Sequence, residues 1–203
     1  MAIKEFLKKN LLLVDGAMGT QIQGRNPGAA AWGAYEGCNE WLNLSAPEII
    51  RDIHAAYFAA GSDAVETNSF GSAPLTLGEY DLAAKAREIS RAAAQVARGA
   101  ADDAAKKDGR PRFVLGSVGP GTRLATLGQV SFDELYGGYQ EQMGGLLEGG
   151  ADGILIETCQ DLLQIKAAVA AAMQVLGPKS DKLLYVSVTV ETTGTLLVGS
   201  SIW

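Results

Sequence analysis

The sequence predicts an α/β fold in which parallel strands alternate with helices. Short apolar runs rich in Val, Ile and Leu recur along the chain, and most are followed by a segment whose apolar residues have helical spacing. Glycine, proline and aspartate mark the turns between these segments. Strands joined through helices pair in parallel with right-handed crossovers, so an open doubly wound sheet and a (β/α)8 barrel are the two candidate folds.

Five apolar segments are predicted as strands, at residues 11–14, 64–70, 113–117, 153–158 and 183–190. Helices are predicted between them, at residues 47–60, about 78–107, 132–148 and 161–176. Ser131 and Glu134 have the spacing of a capping box at the start of the third helix. A complete barrel takes about 250 residues. A chain of 203 residues with about five βα units therefore predicts an incomplete TIM barrel.

Length and composition indicate one globular domain with an ordinary share of apolar residues, 47%. The net charge of −6 disfavours a nucleic-acid surface, which needs clustered Lys and Arg. No apolar run is long enough for a membrane span, and the apolar run at 11–14 is too short for a signal peptide, so a cytoplasmic protein is expected. Two cysteines and one histidine make a complete zinc site within this chain unexpected.

Polar residues gather where the predicted strands end, which is where ligands bind in parallel α/β folds. Asp15, Glu66 and Glu157 would place three carboxylates on one rim, an arrangement that an ammonium group or a metal ion would stabilise. Backbone N–H groups in the glycine-containing turn after Asp15 could accept a carboxylate. Together these features predict an amino-acid pocket, with the candidate residues Asp15, Gly16, Ala17, Glu66, Thr67, Asn68, Ser117 and Glu157.

A short pattern occurs twice. The sequence 61–63 (GSD) precedes the strand that ends in Glu66, and 150–152 (GAD) precedes the strand that ends in Glu157. The two separations from aspartate to glutamate differ by two residues, so both glutamates have the same parity along their strands. The pattern predicts a repeated αβ unit that brings a carboxylate to the end of its strand.

The glycine-rich segment 116–121 (GSVGPG) does not predict a dinucleotide site. Its spacing differs from GxGxxG, and Pro120 removes an N–H group where a phosphate would need one.

Five motifs, in order, resemble the homocysteine S-methyltransferase family. They are 13–20 (LVDGAMGT), 38–44 (CNEWLNL) followed by Pro47 and Glu48, 66–71 (ETNSFG), 116–120 (GSVGP), and 155–158 (LIET) followed by Asp161. The resemblance covers residues 11 to 200. It implies that residues 1–203 are the N-terminal portion of a homocysteine-binding (β/α)8 barrel domain, in a protein that transfers a methyl group to the homocysteine thiol to form methionine.

The resemblance also implies roles for individual residues. Asp15 and Glu157 would hold the ammonium group of homocysteine, and the backbone at Gly16 and Ala17 would hold its carboxylate. Glu66, Thr67 and Asn68 would line the floor of the site, with Ser117 beside them. The family binds zinc through three cysteines after its sixth and eighth strands. This sequence carries neither segment, and Cys38 and Cys159 do not occupy those motif positions.

The methyl donors of the family include methyl-corrinoids, betaine and S-methylmethionine. The match is most similar to the cobalamin-dependent methionine synthase type, which implies methyl-cobalamin as the donor. Two other hypotheses stay open at the level of sequence. One is a non-catalytic amino-acid-binding or scaffold protein that assembles as a homo-oligomer or with a complementing chain. The other is an unrelated doubly wound enzyme that binds a metal ion on its carboxylate rim.

Overall fold

A computed structural model describes residues 1–201 of the chain; residues 202 and 203, the end of the predicted domain, lie outside the described residues. Four parallel strands form one sheet in the order β1-β2-β3-β4. They are β1 (Ala64–Glu66), β2 (Phe113–Val118), β3 (Gly153–Cys159) and β4 (Leu183–Val188). The described helices are α1 (Ile3–Leu7), α2 (Met18–Arg25), α3 (Ala29–Trp32), α4 (Leu42–Ser45), α5 (Pro47–Ala60), α6 (Pro74–Leu77), α7 (Ala86–Asp108), α8 (Phe132–Glu148) and α9 (Leu162–Leu176).

The helices that connect the strands lie on one face of the sheet. Val65, Val114 and Ile154 share a buried cluster with residues of α5, α7, α8 and α9. Alternate strand residues point to the opposite face, where Ala64, Phe113 and Leu155 pack against Ile3 and Phe6 of α1. A doubly wound sheet would carry connecting helices on both faces. The arrangement is therefore that of a partial barrel, as predicted, with its inner face closed at one end by α1.

The prediction of a first buried strand at residues 11–14 was wrong. Val14 makes only an isolated parallel bridge with Ala64, and Leu11 and Leu13 are 93% and 58% exposed. The segment hydrogen-bonds on one side only, to residues 63 and 64, and lies at the edge of the described sheet. Among the described residues, four strands form, and the isolated bridge at Val14 stands in place of the first of the five predicted strands.

The repeated Gly-x-Asp pattern has the same structure in both places. The Asp63 N–H donates to Leu13 O at 2.7 Å, and the Asp63 carboxylate accepts from Leu13 N–H at 3.0 Å. Asp152 does the same with Val114, at 2.7 and 2.8 Å. Each aspartate therefore holds both backbone groups of one residue on the preceding segment. This pair of bonds fixes the register of the strand that follows.

Helices α7 and α8 pack with their backbones close together. A Cβ atom on Gly145 would lie 2.4 Å from Arg87 O, and one on Gly149 would lie 2.4 Å from Arg91 O.

The predicted capping box at the start of α8 is confirmed, because Glu134 N donates to Ser131 Oγ and Ser131 N donates to the Glu134 side chain.

The helix predicted at about 78–107 is shorter at its start. α6 and two 3₁₀ turns precede α7, which begins at Ala86. No helix in the described part of the chain is long and apolar enough to cross a membrane.

Candidate functional site

A cavity of about 480 Å³ lies at the carboxyl ends of the strands. Its walls contain seven of the eight predicted site residues: Gly16, Ala17, Glu66, Thr67, Asn68, Ser117 and Glu157. The strands supply three of these residues from the inner face of the sheet. Glu66, Ser117 and Glu157 have the same parity as the inner residues Ala64, Leu115 and Leu155. The site therefore lies on the inner face of the sheet, at the end opposite to the one that α1 covers.

Asp15 is the one predicted site residue that does not line the cavity, and it contacts the lining residue Glu66. Its Oδ1 atom accepts a hydrogen bond from Glu66 N–H at 3.0 Å, and its own N–H donates to Ala64 O at 3.1 Å. The Oδ2 atom is buried and has no hydrogen-bond partner in the described structure. Burial, and to a smaller extent the charge of Glu157, raise the pKa of Asp15 to about 7, against the lowering effect of its backbone hydrogen bonds. A cationic donor at Oδ2 would satisfy this carboxylate.

Glu66 has a more strongly shifted pKa. Burial, and then the nearby charges of Glu157 and Asp15, raise its pKa to about 8. Without a ligand, the site therefore carries fewer negative charges at neutral pH than its three carboxylates would in water. A bound ammonium group would favour the ionised forms and would draw protons off the cluster.

Glu157 is held by the strand beside it. Ser117 Oγ donates to Glu157 Oε1 at 2.5 Å. Burial raises the pKa of Glu157, and the Ser117 hydrogen bond opposes that rise.

The residue after Glu157, Thr158, has φ = 57°, and the register between β3 and β4 shifts between Ile156 and Cys159. A β-branched residue in the left-handed region is strained, and such bulges occur next to functional sites, where they redirect side chains.

A buried hydroxyl network supports the floor of the cavity. Thr67 Oγ1 accepts from Ser117 N–H at 3.0 Å and lies 2.6 Å from Ser69 Oγ. Ser69 Oγ donates to Ser117 O at 2.7 Å, and Gln142 of α8 donates to Ser69 O at 2.7 Å. Thr67 therefore lines the cavity and also joins the end of β1 to the end of β2.

Asn68 joins the floor to the segment before α4. Its side-chain amide donates to Asn39 O at 2.7 Å and to Asn43 Oδ1 at 3.3 Å, and the Asn43 amide donates to Asn68 O at 2.7 Å. Both asparagines are buried, so these bonds are made away from solvent. They hold the segment from Asn39 to Asn43, which carries Glu40, and the Asn43 amide also donates to Glu40 O at 2.8 Å.

Glu40 is a cavity residue that the sequence analysis did not include among the site residues. Its Oε1 accepts from Gly71 N–H at 2.7 Å, and burial raises its pKa. Met18, Gly19, Asn39, Ser69 and Phe70 complete the lining. Glu40 and Asn39 lie within the quoted motif at 38–44, so the motif was the available signal. They were missed because they follow a long loop and do not end a strand.

The turn that follows Asp15 exposes backbone groups to the cavity. Gly16 and Ala17 are exposed, and α2 begins directly after them at Met18. No side chain caps the N-terminus of α2, so its first N–H groups have no partner within the helix. Free N–H groups at a helix N-terminus favour a carboxylate through both hydrogen bonding and the helix dipole.

The cysteines and the histidine do not fit a zinc site. Cys38 and Cys159 are buried, and burial raises the pKa of each thiol to about 11, the opposite of what a metal-bound thiolate requires. His54 is fully buried in α5, so it is a packing residue, and burial lowers its pKa to about 4. Within residues 1–201 no group of three or more His, Cys, Asp or Glu side chains is arranged to hold a metal ion.

A second cavity, of about 490 Å³, lies between α5 and α7 on the outside of the helical layer. Several charged residues line it, but its arginines already have carboxylate partners. Arg51 pairs with Asp103, and Arg112 pairs with Asp108. Its charges are largely neutralised, so the strand-end cavity is the better candidate for a functional site.

Comparison with known protein families gives the relationship of this chain. The family model described as homocysteine S-methyltransferase matches residues 12–203. The chain belongs to this family. It is 46% identical over 199 residues, 98% of its length, to proteins named methionine synthase from Mycobacterium tuberculosis and Mycobacterium leprae. The chain spans only 17% and 16% of those two relatives.

Solved structures agree on the fold. The metallated form of the homocysteine methyltransferase MmuM from Escherichia coli superimposes with a TM-score of 0.80 at 23% identity, covering 98% of this chain and 70% of that one. Its oxidized form gives a TM-score of 0.79 at 22% identity, with the same coverage. This likeness supports the partial TIM barrel that the connecting helices indicate.

Proposed function

We propose that this chain forms the homocysteine-binding part of a homocysteine S-methyltransferase, which transfers a methyl group to the homocysteine thiol and forms methionine. The observation that carries the proposal is the polarity of the cavity. Glu66 and Glu157 line it, and so do the first residues of α2, whose N-terminus has no side-chain cap. An α-amino acid offers the complementary pair of charges, an ammonium group and a carboxylate.

The proposed roles follow from the contacts. Asp15 and Glu157 hold the ammonium group, because Asp15 Oδ2 is buried without a partner and Glu157 faces the cavity with Oε1 fixed by Ser117. Glu66 lies between them in the electrostatic cluster and loses its proton when the ammonium binds. Gly16 and Ala17 present backbone N–H groups to the carboxylate. Thr67, Asn68 and Ser117 form the floor.

Methyl transfer needs the thiol as a thiolate, since the thiolate is the nucleophile. Zinc supplies that activation in the family, and the described residues of this chain contain no group of three or more His, Cys, Asp or Glu side chains arranged to hold a metal ion. The part proposed for this chain is to bind and orient the amino-acid end of homocysteine. Methyl-cobalamin is the proposed donor, because the motifs resemble the cobalamin-dependent type and two relatives are named methionine synthase.

A proposed partner is a second polypeptide surface, from a homo-oligomer or a complementing chain. Leu13 at one edge of the sheet and Tyr185 and Val188 at the other are 58%, 55% and 43% exposed. Apolar residues on unpaired edge strands favour association. Sedimentation analysis across a range of protein concentrations tests the homo-oligomer, and a monomer at every concentration would contradict it.

Binding of L-homocysteine, measured by calorimetry, tests the proposed function. Glu157→Gln keeps the size of the side chain and removes its charge, so we expect at least about a tenfold loss of affinity, in line with the loss of a buried charged contact. Glu141→Gln is the matched control, because Glu141 is exposed on α8 and pairs with Arg87. It should bind as the wild type does.

A ligand without the amino group separates the roles. 4-Mercaptobutanoate should bind the wild type more weakly than homocysteine does, and Glu157→Gln should cause little further loss for it. If the wild type binds no homocysteine, or if Glu157→Gln and Glu141→Gln bind it equally well, the proposed function is wrong.

A further inference from the structure

We infer that Tyr57 is a positioning residue that orients the Ala17–Met18 peptide, so that the Met18 N–H points into the cavity toward the substrate carboxylate. The inference rests on the proposed function and extends it to a residue outside the cavity wall. Tyr57 lies on α5 and is not among the residues that line the cavity.

The contact that carries the inference is a single hydrogen bond. The Tyr57 hydroxyl donates to Ala17 O at 3.0 Å, across 40 residues of sequence. The same ring lies against Gly16, where a Cβ atom would meet the Tyr57 hydroxyl oxygen at 3.2 Å and a ring carbon at 3.5 Å. Tyr57 therefore holds the turn from the side of α5.

Peptide geometry turns this contact into an orientation. In a trans peptide the C=O and the N–H of the next residue point in opposite directions. The chain has no cis peptide bonds among its described residues. Because Tyr57 draws the Ala17 carbonyl toward α5, the N–H of Met18 points away from α5. Ala17, Met18 and Gly19 all line the cavity, so this direction leads to the substrate.

Tyr57 is carried by a well-packed helix, whereas the turn that it contacts is exposed to solvent. α5 is a 14-residue helix whose Ile50, Ile53 and Phe58 are fully or almost fully buried. Gly16 and Ala17 are exposed, and α2 has no side-chain cap. Burial, and then the negative charge of Asp15, raise the pKa of Tyr57, which keeps the phenol protonated as a donor. The tyrosine therefore ties the exposed turn at Gly16 and Ala17 to the buried helix α5.

The test compares Tyr57→Phe with Tyr136→Phe. Tyr136 lies on α8, and its hydroxyl accepts one hydrogen bond, from the Gln140 amide at 3.2 Å, so the control variant also loses a single hydroxyl contact but not at the turn. Each variant is titrated with L-homocysteine and with homocysteinamide, which has a neutral amide in place of the carboxylate. We expect Tyr57→Phe to weaken homocysteine binding about five- to tenfold, as the loss of one hydrogen bond predicts.

The two ligands distinguish positioning from general damage. Homocysteinamide should bind Tyr57→Phe and the wild type equally well, and Tyr136→Phe should bind both ligands as the wild type does. Equal losses for both ligands in Tyr57→Phe, or no loss for homocysteine, would overturn the inference.

A ligand-free measurement keeps the inference separate from the proposed function. ¹⁵N relaxation should show lower order parameters at Ala17 and Met18 in Tyr57→Phe than in Tyr136→Phe. Unchanged order parameters would overturn the positioning role whatever the protein binds. Absence of homocysteine binding by the wild type would instead overturn the proposed function.

Discussion

The Ser117 hydroxyl donates to Glu157 Oε1 at 2.5 Å, joining the ends of two adjacent strands. This hydrogen bond stabilises the ionised carboxylate and opposes the rise in the pKa of Glu157 that burial causes. Both residues lie on the inner face, where the ligand is proposed to bind. The charge of Glu157 therefore depends on a neighbour that can be removed without changing the carboxylate itself.

Ser117→Ala should raise the pKa of Glu157 further and weaken homocysteine binding near neutral pH. We expect a loss of about tenfold, the lower end of the effect of one hydrogen bond to a charged group. The loss should shrink as the pH is raised, because Glu157 then ionises without help. Titration calorimetry at several pH values measures this, with Ser180→Ala in the loop before β4 as the control. A loss that does not change with pH would contradict the explanation.

The carboxylate cluster should make the unliganded protein less stable as the pH rises. The pKa of Glu66 is raised from 4.5 to about 8, so the folded state binds a proton that the unfolded state has released. The resulting stability is fully present below pH 4.5 and is lost as the pH rises through about 8. Asp15 adds to this trend, from 3.8 to about 7.

Glu66→Gln should therefore flatten the fall in the free energy of unfolding between pH 5 and pH 8, as measured by urea denaturation. Glu36→Gln is the control, since Glu36 is exposed and outside the cavity. Its slope should match that of the wild type. Parallel curves for Glu66→Gln and Glu36→Gln would show that Glu66 does not carry the effect.

The close approach of α7 and α8 should be sensitive to a single methyl group. Gly145→Ala would place Cβ 2.4 Å from the backbone oxygen of Arg87, so the helices must separate. We expect a loss of about 2 kcal/mol in the free energy of unfolding. Gly137→Ala in the same helix meets nothing within 4 Å and should stabilise the protein by about 0.5–1 kcal/mol, because alanine favours a helix over glycine. Equal effects of the two substitutions would contradict the packing argument.

The sequence predicted the parallel α/β fold and most of the cavity because both depend on local patterns. Glu66, Ser117 and Glu157 end their strands, so alternation along a strand was enough to place them together. The first strand was wrong because an apolar run at residues 11–14 does not reveal whether partners lie on both of its sides. The segment makes one bridge, and the periodicity of so short an apolar run does not distinguish a bridge from a strand.

Glu40, Tyr57 and Thr158 show what local patterns leave out. Glu40 reaches the cavity through a hydrogen-bond network between loops that are far apart in sequence. Tyr57 has the helical spacing of a packing residue, and its hydroxyl bonds to Ala17 O, 40 residues away in the sequence. Thr158 adopts a left-handed conformation that its residue type disfavours, and the bulge at the end of β3 accompanies it.

The positions of Asp63 and Asp152 limit the number of residues that can separate each aspartate from the glutamate at the end of its strand. Asp63 lies three residues before Glu66, and Asp152 lies five residues before Glu157; both separations are odd. Adding or removing two residues keeps the carboxylate on the inner face, whereas one residue would turn it toward the helices. Units of different length can thus place their carboxylates in one cavity. Asp152 lies roughly 16 Å from Glu157 along the strand. A one-residue insertion near Asp152 would nevertheless alter ligand binding, because it would turn the Glu157 side chain out of the cavity.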